Sequence, residues 1–450
     1  MVALLLSVAQ DVNVTCIDCA AVNSATRSPA VRDRWCLPFV ARRTMMNALH
    51  VVYKVRAMGN PWDKWIPGVL NKKQISELAA IGLITGKAPL VIDNSSIDLS
   101  LSDEAFTMTK GSVKPSGAHP YSWFIENSGL AQRLPRSADA TYTLRAKQTY
   151  VFKLQEKLQR GLVDAEIYGQ ATAKSSVGRV DVLARLILDG MDTYERFDPA
   201  GLSKQSGDVY LEVTPITFDV KVKPGVCLSQ LRLFYGNPDN VKVGGRELFK
   251  TVLHGPGEAD GSLSVNLTNE QVGGLPVAAF YAQPPGEPNR IRDAIPLWEG
   301  QEKPDPWKYW KFATTDDALR LKITQNFFYL LRSKERISVP RGVAIYCRAS
   351  DETIGEMRIH YAGFAHPFFG TCRQDGQAGT PLIFEVRGHQ VDVSLADGEK
   401  MANLTFYRMS EDSEPGDGTY ENQKLQLSKF FGKWPDKLRR VDDDGTVEPA

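Results

Sequence analysis

Val209-Tyr210-Leu211-Glu212-Val213-Thr214, then Ile216, Phe218, Val220 and Val222 on alternate positions, then Lys223-Pro224-Gly225 and a return from Val226 to Tyr235, is the stretch on which the fold turns. Alternation of apolar and polar residues sends successive side chains to opposite faces, the period of a half-buried strand and not of a helix. Lys-Pro-Gly between two such runs marks a turn, so the segment reads as consecutive antiparallel strands with Glu212 on the outward row. The same pattern returns further on. Val391, Val393 and Leu395 alternate, Ala396-Asp397-Gly398 turns, and Met401 to Tyr407 comes back. Glu212 and Glu385 stand 173 positions apart, as do Gly225 and Gly398, and Ser176 and Ser350 stand 174 apart. A shared offset between like residues is the mark of a tandem duplication, so two similar all-β domains with short helices are expected in one chain.

Working outward, residues 1–62 carry no clear period and read as an extension. Residues 63–240 form the first domain, 241–306 a Gly- and Pro-rich linker with the start of the second repeat, 307–412 the second domain, and 413–450 a tail. Val69 to Leu78 has the spacing of an amphipathic helix, and Ser95 to Leu101 alternates as a strand. Ser262 to Leu267 repeats that strand, with Asn266 in place of Asp98.

Chemistry concentrates just before the first hairpin, in Lys174-Ser175-Ser176-Val177-Gly178-Arg179, followed by Arg196-Phe197-Asp198-Pro199. Two hydroxyls, a lysine and an arginine one turn later suit a phosphate. A strand carboxylate, Glu212, facing such a cradle reads as a nucleotide site. Taken singly, each residue has an ordinary alternative: an exposed strand glutamate, a helix cap, a surface arginine, and for Arg196 and Asp198 a pair that braces a hairpin.

The order of these parts resembles the dCTP deaminase family, whose members share the trimeric dUTPase fold. The family signature has a basic residue, two serines and an arginine, then Arg-x-Asp-Pro, then an apolar strand with one glutamate. Ser175, Ser176, Arg179, Arg196, Asp198 and Glu212 match it, while Lys174 stands where arginine is usual and lacks its planar fork. The resemblance runs over roughly residues 66–434 and is closest to the bacterial form with two fused domains. It implies two fused distorted jelly-roll or barrel domains, dCTP as substrate and dUTP with ammonia as products. It also implies magnesium carried on the triphosphate, a possible dTTP effector, and sites at the interfaces of a trimer-like oligomer. Water attacking C4 of cytosine needs a base, a stabiliser for the adduct and an acid for the departing ammonia. Glu212 is the candidate base and acid, Ser175 the holder of water or adduct, and Lys174, Ser176, Arg179, Arg196 and Asp198 the binding groups. The second copy reads Arg348-Ala349-Ser350-Asp351-Glu352-Thr353, so its phosphate motif is degenerate, but Ile383-Phe384-Glu385-Val386 keeps the glutamate. Glu385 is therefore a second candidate to complete a site with Ser175. The tail, with Gly416 and Gly418 before Tyr420, Gln423 and Lys424, resembles the family's closing lid and is expected to be dispensable for folding. His366 reads as a structural histidine. Rival readings are a dUTPase or a bifunctional enzyme on the same fold, and a nucleotide sensor without turnover.

Composition excludes some classes. Fifty-four basic and 53 acidic residues leave a net charge of +1, so no global field points to nucleic acid. No apolar run is long enough to span a bilayer, and the first nine residues lack the basic start of a signal peptide, so the cytoplasm is expected. Six cysteines are too few and scattered for a disulfide scaffold, and Cys16, Cys19 and Cys36 make at most half a zinc site. None of the six histidines is followed by glutamate in the H-x-E spacing of the zinc deaminases, so deamination without zinc is expected.

Overall fold

Among the described residues, strand pairing gives two sheets of eleven strands whose main strands run in matching order, with four smaller sheets beside them. The computed structural model describes residues 60–86, 89–116, 119–202, 207–283, 293–350, 357–359, 363–371, 378–415 and 424–450. In the first copy the strands that matter are β1 (Ser96–Met108), β2 (Tyr150–Leu158), β3 (Ile167–Ala173), β4 (Val182–Leu188), β5 (Arg196–Phe197), β6 (Asp208–Pro215) and β7 (Cys227–Tyr235). They lie in the order β5-β3-β7-β1-β2-β6-β4. In the second copy β8 (Ser262–Asn266), β9 (Phe328–Ile337), β10 (Val343–Ala349), β11 (Gly363–Ala365), β12 (Thr380–Gly388) and β13 (Lys400–Arg408) follow as β11-β10-β13-β8-β9-β12. Met357–Ile359 lies beyond β12, in the place β4 holds in the first copy. The fold is all-β, and the duplication is a duplication of strand order.

Both predicted turns are present, and each needs a residue that tolerates the left-handed region: Gly225 sits at φ +87° and Gly398 at +82°. Their amides donate to equivalent carbonyls, Leu101 in one copy and Val265 in the other. The expected helix runs from Lys72 to Ala80, with Asn71 and Gln74 forming a reciprocal capping box. Residues 241–306 are more than a linker: β8 and Ala279–Ala282 from this segment are paired members of the second sheet. Phe218 is buried, but the strand after β6 is only Val220–Val222, because the ladder stops at Pro215.

Strand register corrects two expected equivalences. Lys174 N donates to Leu228 O and Ser350 N to Met401 O, both at 3.0 Å. Since Leu228 and Met401 are counterparts, Ser350 occupies the position of Lys174 and not of Ser176. The near-equal offset at that serine is therefore not a structural equivalence. Likewise Glu156 accepts from the amide and hydroxyl of Ser100, and Glu335 accepts from the same two groups of Ser264. Ser264 is thus Ser100's counterpart, and Ser262, opposite Asn403, takes the place of Asp98, opposite Gln230. Asn266 lies further along, where its side chain accepts from Thr268 N at 3.0 Å.

One apolar cluster crosses from copy to copy: Leu186 and Val220 belong to the same core as Phe328, Leu330 and Ile383. Leu425, Phe430, Phe431, Leu438 and Val447 are buried in it too. The tail is therefore structural from Lys424 onward, contrary to the expectation that it can be cut away. Phe431 meets Phe218, Tyr309 and Trp310 ring to ring, and Leu438–Arg440 pairs with Val447–Pro449. Residues 416–423, with Tyr420 and Gln423, lie outside the described residues, as does the extension up to residue 59. Among the described residues no helix is long and apolar enough to cross a membrane.

Candidate active site

The turn after β3 is a single helical turn, α1 (Ser175–Gly178), closed by Arg179 N donating to Ser175 O at 3.0 Å. Its length follows from the sequence: Gly178 and Asp181, the latter at φ +57°, end the helix before β4 begins. Lys174, Ser175 and Arg179 face a cavity of ≈100 Å³ whose far wall comes from the second copy. That wall is Cys347 and Arg348 from β10, Phe364 and Ala365 from β11, then His366, Phe369 and Leu382 to Glu385 on β12. Asp93 and Gln230 of the first copy complete the lining.

Of the carboxylates considered from sequence, the one here is Glu385. It is buried, and burial pushes its proton affinity up to about 7, against the pull of Arg179, whose Nε lies 3.9 Å from Oε1. A carboxyl with that affinity can both take and return a proton near neutral pH. Lys174 pairs with Asp98, whose carboxyl is raised by its own burial and drawn back by the ammonium. His366 accepts or donates at Nδ1 to Ser95 Oγ, 2.7 Å away, and burial together with Arg232 and Lys174 lowers it to about 4, so it is neutral at physiological pH. Arg232 reaches across from the first copy, donating to Ile345 O and Ala365 O beneath Phe364. Two strands of the pocket wall are thereby tied to the first copy.

Glu212 is elsewhere. It is only 1% exposed, so the outward row of β6 is not solvated: Tyr121 and Ile125, in the helix Tyr121–Asn127, cover it together with Met108 and Tyr210. Its carboxylate accepts from Arg185, from Ser112 at 2.7 Å and from Tyr194 at 3.2 Å, and it does not line the cavity. Arg196 is exposed in β5, opposite Gln170, and Asp198 accepts from Gly201 N at 2.7 Å; neither lines the cavity. Ser176 also stands off it, with its carbonyl accepting from Ser428 Oγ at 2.6 Å, and Lys424 is exposed. The structure thus joins Lys174, Ser175 and Arg179 to Glu385 and leaves out Ser176, Arg196, Asp198 and Glu212. Sequence reasoning missed Arg348, Phe364 and the pocket role of His366. A signal existed for the last two, since β11 repeats β5 and puts Phe364 where Arg196 stands and His366 where Asp198 does. Among the described residues no three His, Cys, Asp or Glu cluster as metal ligands.

A duplicated all-β chain with cations and a hydroxyl from one copy facing a protonatable glutamate from the other defines a class: an enzyme fold with a polar site between tandem domains. Comparison with known proteins makes the class specific. Residues 66–237 match the 2'-deoxycytidine 5'-triphosphate deaminase N-terminal domain, and residues 262–431 match the C-terminal domain of the same family. The crystal structure of 2'-deoxycytidine 5'-triphosphate deaminase from Agrobacterium tumefaciens is similar to this chain at 26% identity and a TM-score of 0.65. The alignment covers 77% of this chain and 99% of that one. No curated protein matches. The chain belongs to the dCTP deaminase family.

Proposed function

We propose that the chain deaminates dCTP hydrolytically to dUTP and ammonia in the cavity between its two copies, with Glu385 as the proton-transfer group. The observation that carries this reading is the convergence of Ser175, Arg179 and a buried Glu385 on one cavity. In the reaction Glu385 takes a proton from water as the oxygen adds to C4 of cytosine, then returns it to the amino group that leaves as ammonia. The Ser175 hydroxyl holds the attacking water or the adduct by hydrogen bond. Lys174, Arg179 and Arg348 are the cations that meet the triphosphate, which brings its magnesium as part of the substrate. His366, neutral and held by Ser95, adds no charge beside the phosphates. The missing H-x-E spacing supports a reaction that does not use zinc.

The test is incubation of purified protein with dCTP and magnesium, with chromatographic separation of dCTP, dUTP and dUMP. Release of dUTP and ammonia, maintained in a zinc-selective chelator, is the expected result. Loss of activity restored only by zinc, or no turnover of dCTP, would refute it. Appearance of dUMP from dCTP would assign the bifunctional reaction instead.

A further inference from the structure

Two residues beyond Glu385 on β12, and so on the same face of the strand, Arg387 crosses to the first copy and pairs with Asp181. Asp181 lies two residues beyond Arg179. The contacts between the copies therefore run in parallel, Arg179 beside Glu385 and Asp181 on Arg387. The second is the tighter. Asp181 is fully buried, and Arg387 also donates to Thr217 Oγ1 and to Asn326 O, both at 2.5 Å, while Thr217 donates to the same Asp181 carboxylate. The backbone of Asp181 is fixed as well, with its amide donating to Gly178 O and its carbonyl accepting from Ile216 N. Its φ of +57° is unfavourable for a non-glycine residue and persists because these bonds over-determine it.

Resting on the assignment of Glu385 above, we propose that Asp181 and Arg387 are positioning residues for the deamination. They hold the strand that carries Glu385 against the turn that carries Arg179, so that carboxylate and guanidinium stay at 3.9 Å without closing into a hydrogen-bonded pair. Among the described residues the first copy carries no such anchor. Thr214 stands in Arg387's place in the first copy, where its hydroxyl meets Thr149 at 3.0 Å, and Glu212 pairs with Arg185, opposite it on the neighbouring strand of the same copy.

The charged or titratable groups that line the cavity with Glu385 are Arg179 and Lys174 from the α1 turn, Asp93 before β1, Cys347 and Arg348 on β10, and His366 after β11. Of these groups Arg179 pulls its proton affinity down, and a backbone hydrogen bond lowers it further. Loosening the anchor lets Glu385 close on Arg179, which favours the ionised carboxylate and impairs its return of a proton to the leaving group.

The experiment is the pH dependence of kcat and KM for dCTP in Asp181→Asn and Arg387→Lys, with melting temperature measured alongside. The expected result is a loss of about ten- to a hundredfold in kcat with KM within about threefold of wild type, and an acid limb displaced to lower pH. Arg387→Lys, which retains the charge, should be the milder. Should either fail to fold, Asp181→Asn combined with Arg387→Gln keeps polar groups at the interface without ions and is read in its place. Folded variants with wild-type kcat overturn the proposal. So does a lowered kcat with an unmoved acid limb, which marks a merely structural pair. Glu385→Gln assayed beside them separates the two layers: if it still turns over, the assignment of Glu385 is wrong whatever the anchor does.

Discussion

Two glutamates in equivalent strands have opposite surroundings, and the difference decides which one can move a proton. Glu212 accepts three side-chain donors, including the Arg185 guanidinium, whereas Glu385 faces a cavity with one arginine at 3.9 Å. Glu385→Gln is expected to lower kcat by at least about a hundredfold while dCTP still binds, because the amide keeps the shape and cannot carry the proton. Glu212→Gln should keep kcat within about threefold of wild type and instead cost about 1–3 kcal/mol of stability, since Arg185, Ser112 and Tyr194 lose the buried carboxyl that accepts from them. Steady-state rates with a denaturant titration of both variants check this; a dead Glu212→Gln beside an active Glu385→Gln would reverse the assignment. Glu385 also leaves a trace in stability. Its folded proton affinity, about 7, lies above the unfolded carboxylate's 4.5, so between these values the native state binds the proton that the unfolded chain has lost. Its contribution is present below pH 4.5 and is lost as pH rises through 7, where the native state must bury a charge. Glu385→Gln has no charge to bury, so its melting temperature relative to wild type should rise from pH 5 to pH 8. A difference that stays flat would show that Glu385 does not titrate in that range.

Strands, turns and the duplication were legible in the sequence because a period of two and a glycine turn are local properties. Register was not. Ser176 and Ser350 fall at nearly the offset of the true counterparts, yet pairing with β7 and β13 puts Ser350 level with Lys174. Irregularities between Cys227 and Ser229 and between Leu263 and Ser264 shift the ladders further, and nothing local announces them. The residues of the α1 turn were legible as a motif, but which glutamate they meet depends on packing between copies, which is invisible to spacing within one. The tail was misread for a related reason: Leu425, Phe430 and Phe431 do not alternate, so no strand pattern shows that they fill a core. Ending the chain after Pro415 removes these three along with Leu438 and Val447. Burial of a large apolar side chain is worth about 1.5–3 kcal/mol, so the loss exceeds what a marginally stable protein tolerates. The truncated protein is expected to be insoluble or to melt at least about 10 °C lower. Equal melting temperatures for the truncated and full chains would place the tail outside the core.

At the scale of the whole molecule, the proposed site uses one of the two junctions that a duplication makes available. A second centre would need the reciprocal pairing, with the turn after β10 holding triphosphate against Glu212. Ser350 takes the position of Lys174, and in the sequence Asp351 and Glu352 follow it where the first copy has Ser175 and Ser176, so two acids stand in place of two hydroxyls. Glu212 is in turn committed to Arg185, Ser112 and Tyr194. On the proposed assignment neither half of the reciprocal pairing keeps the groups the reaction needs: the sequence puts acids in place of the serines, and the hydrogen bonds of Glu212 are occupied. Each chain should then bind one dCTP, whatever the number of chains that assemble, because Lys174, Ser175, Arg179 and Glu385 all come from the same polypeptide. Titration calorimetry on Glu385→Gln with dCTP and magnesium reads the count without turnover. The expected stoichiometry is one nucleotide per chain, reduced towards none by Arg179→Ala and unchanged by Glu212→Gln. Two equivalent nucleotides per chain, with one of them abolished by Glu212→Gln, would show that the second copy keeps a working site of its own.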